Sequence, residues 1–234
     1  MFPITSLSGS SSIPPAATFW MPKPEDIDEE GIGEFRGTWL IKDVPVREAR
    51  GLIRRERRIA EVVGSLAATV KDFDRIAHAV EDGYDPEEPE SSYILNAQER
   101  EALGEFAVSE DESCALDDLE LGVAGLVYAL ATVRIIPVAS CRGHTGDRPW
   151  SAVPVVLVAT TEYRARALQP LVKAAGCQFE IDSNRPHLLA VQGRSILDTM
   201  ALAEAVLGAR ASFVRSRSAG RQHQPRAPRQ GDLF

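Results

Sequence analysis

Apolar positions along the chain fall into blocks of differing period, and the blocks predict the elements. From Val46 to about Val80, residues Leu52, Ile53, Ile59, Val63, Leu66, Val70, Phe73, Ile76 and Val80 recur at helical spacing, so the segment reads as one long amphipathic helix bent near Gly64. Before it, "EFRGTWLIKDV" at 34–44 has the composition of a short strand, which Pro45 ends. Asn96 followed by Glu99 has the form of a capping box and predicts a short helix to about Gly104. From 116 to 208 the blocks alternate in length. A helix ("LDDLELGVAGLVYALATV") leads to a strand ("RIIPVA"), a polar loop and the nearly all-apolar strand "AVPVVLVA". The helix "EYRARALQPLVKAA" then stops at Gly176, a residue suited to the left-handed position beyond a helix end. After it come "CQFEI", the turn "DSNRP", the strand "HLLAVQ" and a last helix, "SILDTMALAEAVL".

Two αββ units in succession predict an α+β fold: an αββαββα unit whose four-stranded antiparallel or mixed sheet is covered by helices on one face, preceded by a mainly helical N-terminal region. Residues 1–20 are Ser/Pro/Ala-rich and are expected to be disordered, because they bury too little to offset their ordering entropy. A mainly helical region with an acidic linker then spans 21–112, the α+β domain 113–208, and a disordered basic tail 209–234. "GVAG" at 122–125 falls inside the predicted helix rather than at a strand-to-helix turn, and so carries no weight as a phosphate-binding loop.

Charge changes this picture more than overall composition does. Residues 209–234 hold six arginines against Asp232, while residues 1–208 hold 20 bases and 33 acids, so a cationic tail follows a strongly anionic body. The stretch 81–120 carries fifteen acids and one base, Arg100, and reads as a solvated linker around the loop "DGYDPEEPESS". Arginines 47, 50, 54, 55, 57 and 58 alternate with Glu48, Glu56 and Glu61, which predicts a solvated helix face with internal ion pairs. No apolar run approaches the roughly 20 residues a membrane-spanning helix needs, and the first residues lack the basic flank of a signal peptide, so no membrane association or secretion is expected. Three cysteines at irregular spacing (Cys114, Cys141, Cys177) argue against a disulfide framework and for a reducing, cytoplasmic location.

The densest candidate chemistry is "SCRGH", Ser140 to His144, where a strand gives way to a polar loop. Gly143 permits a turn that brings His144 back toward Cys141, and a thiol beside an imidazole can act as a nucleophile. Arg142, Asp147 and Arg148 would form a polar rim suited to an anionic ligand. Four readings stand side by side: a Cys141/His144 catalytic pair; a metal site, for which Cys177 and His187 would have to complete the ligand set; ligand binding without covalent chemistry; and a purely structural strand end. The sequence names no cofactor.

Two resemblances add expectations. The stretch 116–200, with its Ser-Cys-x-Gly turn and late Arg-Ser pair, resembles the wybutosine-synthesising tRNA methyltransferase family acting at the third step, with Ser140, Cys141, Gly143, Arg194 and Ser195 as matching positions. The resemblance implies a ligand site at that sheet end and a nucleic-acid- or nucleotide-modifying activity. The final "QGDLF" resembles the peptide by which bacterial replication and repair proteins bind the DNA polymerase sliding clamp, with Gln230, Asp232, Leu233 and Phe234 at the specifying positions. That resemblance implies a bacterial DNA-associated accessory protein of replication, repair or defence, tethered to the clamp while its arginine-rich tail makes weak contact with nucleic acid. An interaction module without catalysis is the third expectation.

Overall fold

A computed structural model of the chain describes residues 2–22, 43–83, 94–106, 115–144, 150–182 and 185–213. The 34–42 part of the expected strand, most of the acidic loop, Cys114, Asp147, Arg148 and the tail from 214 onward, with Gln230, Asp232, Leu233 and Phe234, lie outside the described residues.

The predicted long helix is two. α1 runs Val46–Leu66 and α2 runs Val70–Glu81. The break falls just past Gly64, at Ala67–Thr69, because Thr69 and Asp72 form a reciprocal capping box that starts a new helix. The box expected at Asn96 and Glu99 opens α3, Ala97–Leu103, and Glu99 also holds Arg75 of α2 at 2.6 Å. α4 covers only Ala124–Thr132, much shorter than expected. Asp117, Asp118 and Gly122 all take positive φ, which interrupts the helix upstream, and Asp is among the few L-residues that tolerate this region.

Past α4, Arg134 takes a φ of 59° and turns the chain into β1, Ile136–Cys141. β2 (Val155–Ala159), α5 (Glu162–Ala174), β3 (Gln178–Ile181), β4 (Leu189–Gln192) and α6 (Ile196–Gly208) follow, so the expected αββαββα order is observed. Gly176 has a φ of 74° and ends α5 as predicted. The strands form one antiparallel sheet in the order β1-β2-β4-β3, with one hairpin from each αββ unit and β2 beside β4 at the centre.

Alternation along the strands assigns two faces. Val156, Val158, Phe179, Leu189 and Val191 point into the main core with the helices, while Val138, Cys141, Val155, Leu157, Ala159 and Ala190 form a separate outer cluster. α4 is buried from Ala124 to Ala131, as its unbroken apolar sequence requires for a helix enclosed by α1, α6 and the sheet. Its N-terminus is closed by Glu56 of α1, which accepts hydrogen bonds from the Gly122 and Gly125 amides at 2.8 and 3.1 Å. "GVAG" therefore does stand at a helix start, but a carboxylate of the protein itself occupies its amides.

Other arginine pairings on α1 reach between elements instead of along the helix: Arg57 to Glu204 of α6 and Arg58 to Glu105. Residues 2–22, of which those up to 20 were expected to be disordered, lie along the body. Phe2 packs edge-on against Phe73, and Ser10 bridges to Phe179 on the open edge of β3. Trp20 stacks edge-on against His187 and joins the outer cluster.

Candidate metal centre

The end of the sheet that carries "SCRGH" is built by register. Cys141 pairs with Val155, Val155 with Gln192, and Gln192 with Gln178, so these four residues form one row across the sheet. The two loops leaving this row pack on Val153 and Pro154. Gly143, at a φ of 87°, approaches so closely that a Cβ would lie 2.7 Å from the Val153 carbonyl carbon, and the Gly193 amide donates to the Pro154 carbonyl at 2.9 Å. His144 is fixed by its amide, which donates to the Ser151 carbonyl at 2.9 Å.

Cys141 is buried at the end of β1, and its sulfur accepts the Gly143 amide at 3.3 Å. Burial, and secondarily the carboxylate of Glu120, push its thiol up to about 11. The His144 ring does not hydrogen-bond the sulfur; its Nε2 faces Glu120 Oε1 at 3.3 Å. A thiol that burial favours in its neutral form and an imidazole oriented by the Glu120 carboxylate define the local arrangement of the two side chains.

They are a reasonable arrangement for a cation. Glu120, Cys141 and His144 each offer one donor atom, all within 4.8 Å of one another, with the sulfur buried and the other two half-buried. Tetrahedral zinc needs donor pairs at roughly 3.3 to 3.8 Å, given metal bonds of about 2.0 to 2.3 Å, so a modest rotation of the two more exposed side chains closes the set. Sequence reasoning named Cys141 and His144 and missed Glu120. It lies 21 residues before Cys141 in an acid-rich stretch, and only the turns at Asp117–Gly122 bring it to the sheet end. The proposed completion by Cys177 and His187 fails on geometry: Cys177 belongs to the helix-side core, Cys141 to the outer cluster, and His187 stacks on Trp20.

Arg142 does not join an open rim either. Its side chain is 2% exposed, with the guanidinium 2.7 Å from Asp74, 2.8 Å from Glu81 and above the Phe73 ring. Burial opposes its charge, but Glu81 and Asp74 outweigh that and hold its pKa above the ordinary value. Burial likewise pushes the Glu81 carboxyl up, with Arg142 working against it. The same residue fixes the site: the Arg142 amide donates to Glu120 Oε2, and Glu81 Oε1 also takes the Leu121 amide at 2.8 Å. The segment carrying Glu120 and the segment carrying Cys141 and His144 are thus bound to α2 through one buried ionic network.

Ser140 pairs with Val156 one residue before the end of β1 and is half-buried. Arg194 and Ser195 do lie beyond β4 at the same sheet end, but they serve the start of α6: Arg194 pairs with Asp198 at 3.1 Å, and Ser195 is its buried N-cap residue. Comparison with protein-family models, with curated proteins and with solved structures finds no match for the chain.

Proposed function

We propose that the protein is a metal-dependent enzyme acting on nucleic acid or a nucleotide, with a single divalent transition ion held by Glu120, Cys141 and His144. The observation that carries this reading is the convergence of three different donor types, from two segments distant in sequence, at one end of the sheet. Three protein ligands leave a coordination position for water, and a bound ion lowers the pKa of such a water toward neutrality, the usual route to hydrolytic chemistry. Mixed sulfur, nitrogen and oxygen donors favour zinc over magnesium or calcium. The nucleic-acid side of the reading rests on sequence, on the Ser-Cys-x-Gly and Arg-Ser resemblance and on the arginine-rich tail.

Metal analysis of the full chain purified without chelator tests it. About one zinc per chain is expected, with Cys141→Ser and Glu120→Ala each losing it while circular dichroism stays native. A metal-free wild-type chain that also fails to bind added zinc would end the reading.

A second function accompanies the first. The "QGDLF" pattern favours recruitment of this enzyme to the bacterial sliding clamp through Gln230, Asp232, Leu233 and Phe234. Burying Leu233 and Phe234 would contribute about 1.5 to 3 kcal/mol each, a large part of the roughly 8 kcal/mol that a reversible micromolar tether needs. Removing residues 230–234 abolishes clamp pull-down on this account; undiminished capture by the truncated chain would refute it.

A further inference from the structure

We propose that the outward face of α1 is a ridge that binds the phosphate backbone of nucleic acid through Arg47, Arg50 and Arg54; this rests on the reading of the protein as one that acts on nucleic acid, and not on the metal centre. At about 100° per residue the three side chains leave the helix within an arc of about 60°, along about 10 Å of its length. All three are exposed. Sequence alone predicts that interleaved glutamates neutralise this face, and the fold removes them. Glu56 is turned inward, fully buried against the Gly122 and Gly125 amides. Glu48 stands about 100° or more round the helix from each of the three, and Glu61 lies about two turns beyond Arg54. The acids of neighbouring elements are taken by the next turn, Glu204 by Arg57 and Glu105 by Arg58. Arg47, Arg50 and Arg54 thus have no ionic or hydrogen-bond partner among the described residues.

Folding does not account for this arrangement. Cations three and four residues apart repel one another on a helix, and cations in its first turns oppose the macrodipole. In a body where residues 1–208 hold 20 bases against 33 acids, three clustered and unneutralised guanidinium groups point to an anion outside the chain. The surroundings select the kind of anion. The apolar residues of α1, Leu52, Ile53, Ile59 and Val63, are buried, and none of the large apolar side chains left exposed among the described residues belongs to this helix. A protein partner needs an apolar or aromatic anchor at the centre of its contact, and a bilayer needs apolar side chains to receive, neither of which this ridge offers. What remains is recognition by charge alone from residues in a line, which fits the regular row of charges along a nucleic-acid strand. α1 also carries arginine at every cationic position and no lysine, and the guanidinium fork matches two phosphate oxygens at once. Backbone contacts of this kind position a strand without reading its bases, so the binding is independent of sequence.

Anisotropy titrations of the full chain with labelled duplex and single-stranded oligonucleotides of mixed sequence, at salt from about 50 to about 200 mM, test the ridge. The logarithm of the association constant should fall linearly with the logarithm of the salt concentration. Arg47→Gln, Arg50→Gln and Arg54→Gln combined should lower the affinity about tenfold or more at about 50 mM salt and make the slope shallower by about 2.7 for a duplex or about 2.1 for a single strand. Each substitution alone should account for about a third of that change, whereas Lys173→Gln, an exposed cation on α5, should leave the slope as it is. The triple variant should melt no lower than the wild type, because what it removes is repulsion. An unchanged slope in the triple variant overturns the ridge and assigns the contact to the arginine-rich tail, with the nucleic-acid reading left in place. Absence of wild-type binding at about 50 mM salt overturns both, and zinc content measured on the same samples reports separately on the metal centre. Tighter binding to phosphatidylserine vesicles than to either oligonucleotide, lost in the triple variant, would also overturn the assignment.

Discussion

Two buried charges show how single residues set the behaviour of this chain. Arg142 bridges Asp74 and Glu81 inside the protein, and removing the guanidinium takes from the buried Glu81 carboxylate the charge that offsets its burial. Arg142→Met is expected to cost about 3 kcal/mol in urea unfolding, since a broken buried pair strands its partner. Adding Glu81→Gln to that variant should recover part of the loss, which a simple packing defect would not. Glu56 is the second case. Burial raises its carboxyl from 4.5 to about 7, against the lowering effect of hydrogen bonds from Gly125, Gly122 and Ala124. The folded chain therefore holds a proton that the unfolded chain releases, and its contribution is full below pH 4.5 and lost as pH rises through about 7. Stability should fall on the order of 3 kcal/mol across that window, and Glu56→Gln should flatten the dependence in denaturation curves collected at each pH.

At the scale of elements, turn conformation decides where helices begin and end. Arg134 sits past the end of α4 in the left-handed region, exposed, where glycine is the unstrained choice. Arg134→Gly should therefore raise stability by about 1 kcal/mol in thermal or urea unfolding. Gly122→Ala works in the opposite sense. Its φ is 91° and a Cβ would overlap the Ile196 side chain at the start of α6, so a loss of about 3 kcal/mol or more is expected. These positions also mark what the sequence hides. The Asn96/Glu99 box, Gly176 and the apolar strand blocks were legible because each is a local pattern with a local consequence. The α1/α2 break and the late start of α4 were not. Thr69 and Asp72 compete with an apolar stripe that continues unbroken across them, and the residues ahead of α4 are diverted by a carboxylate 66 residues earlier in the chain. The same distance effect separates the site residues. Cys141 and His144 are neighbours in sequence and were visible, whereas Glu120 and the inward turn of Arg142 depend on contacts that only the folded chain makes.

For the whole molecule, the N-terminal segment is the least expected part, because its composition gives no hint of a binding place on the body. Its anchors are few and well spaced. Phe2 fills the surface left by Gly64, where a Cβ would come within 2.6 Å of the Phe2 ring, and it meets Phe73 edge-on. The Thr5 amide donates to the Arg194 carbonyl at 2.9 Å, and the Phe179 amide donates to the Ser10 carbonyl at 2.7 Å. Gly9 makes that last contact possible, since a Cβ there would stand 2.8 Å from the Phe179 carbonyl oxygen. The segment thus touches α1, α2, the β4–α6 turn and the edge of β3, joining the helical region to the sheet. It also takes up an amide on an edge strand that would otherwise be open to pairing with another chain. Deleting residues 2–12 should consequently do two separable things. Loss of the aromatic anchor should lower the unfolding midpoint, an effect that Phe2→Ala alone reproduces in part. Exposure of the β3 edge should promote self-association, visible as a concentration-dependent shift in light scattering, and Phe2→Ala should not cause it because Ser10 still covers Phe179. A truncated chain that stays monomeric at all concentrations would show that the β3 edge needs no cover, leaving the strap with only its anchoring role.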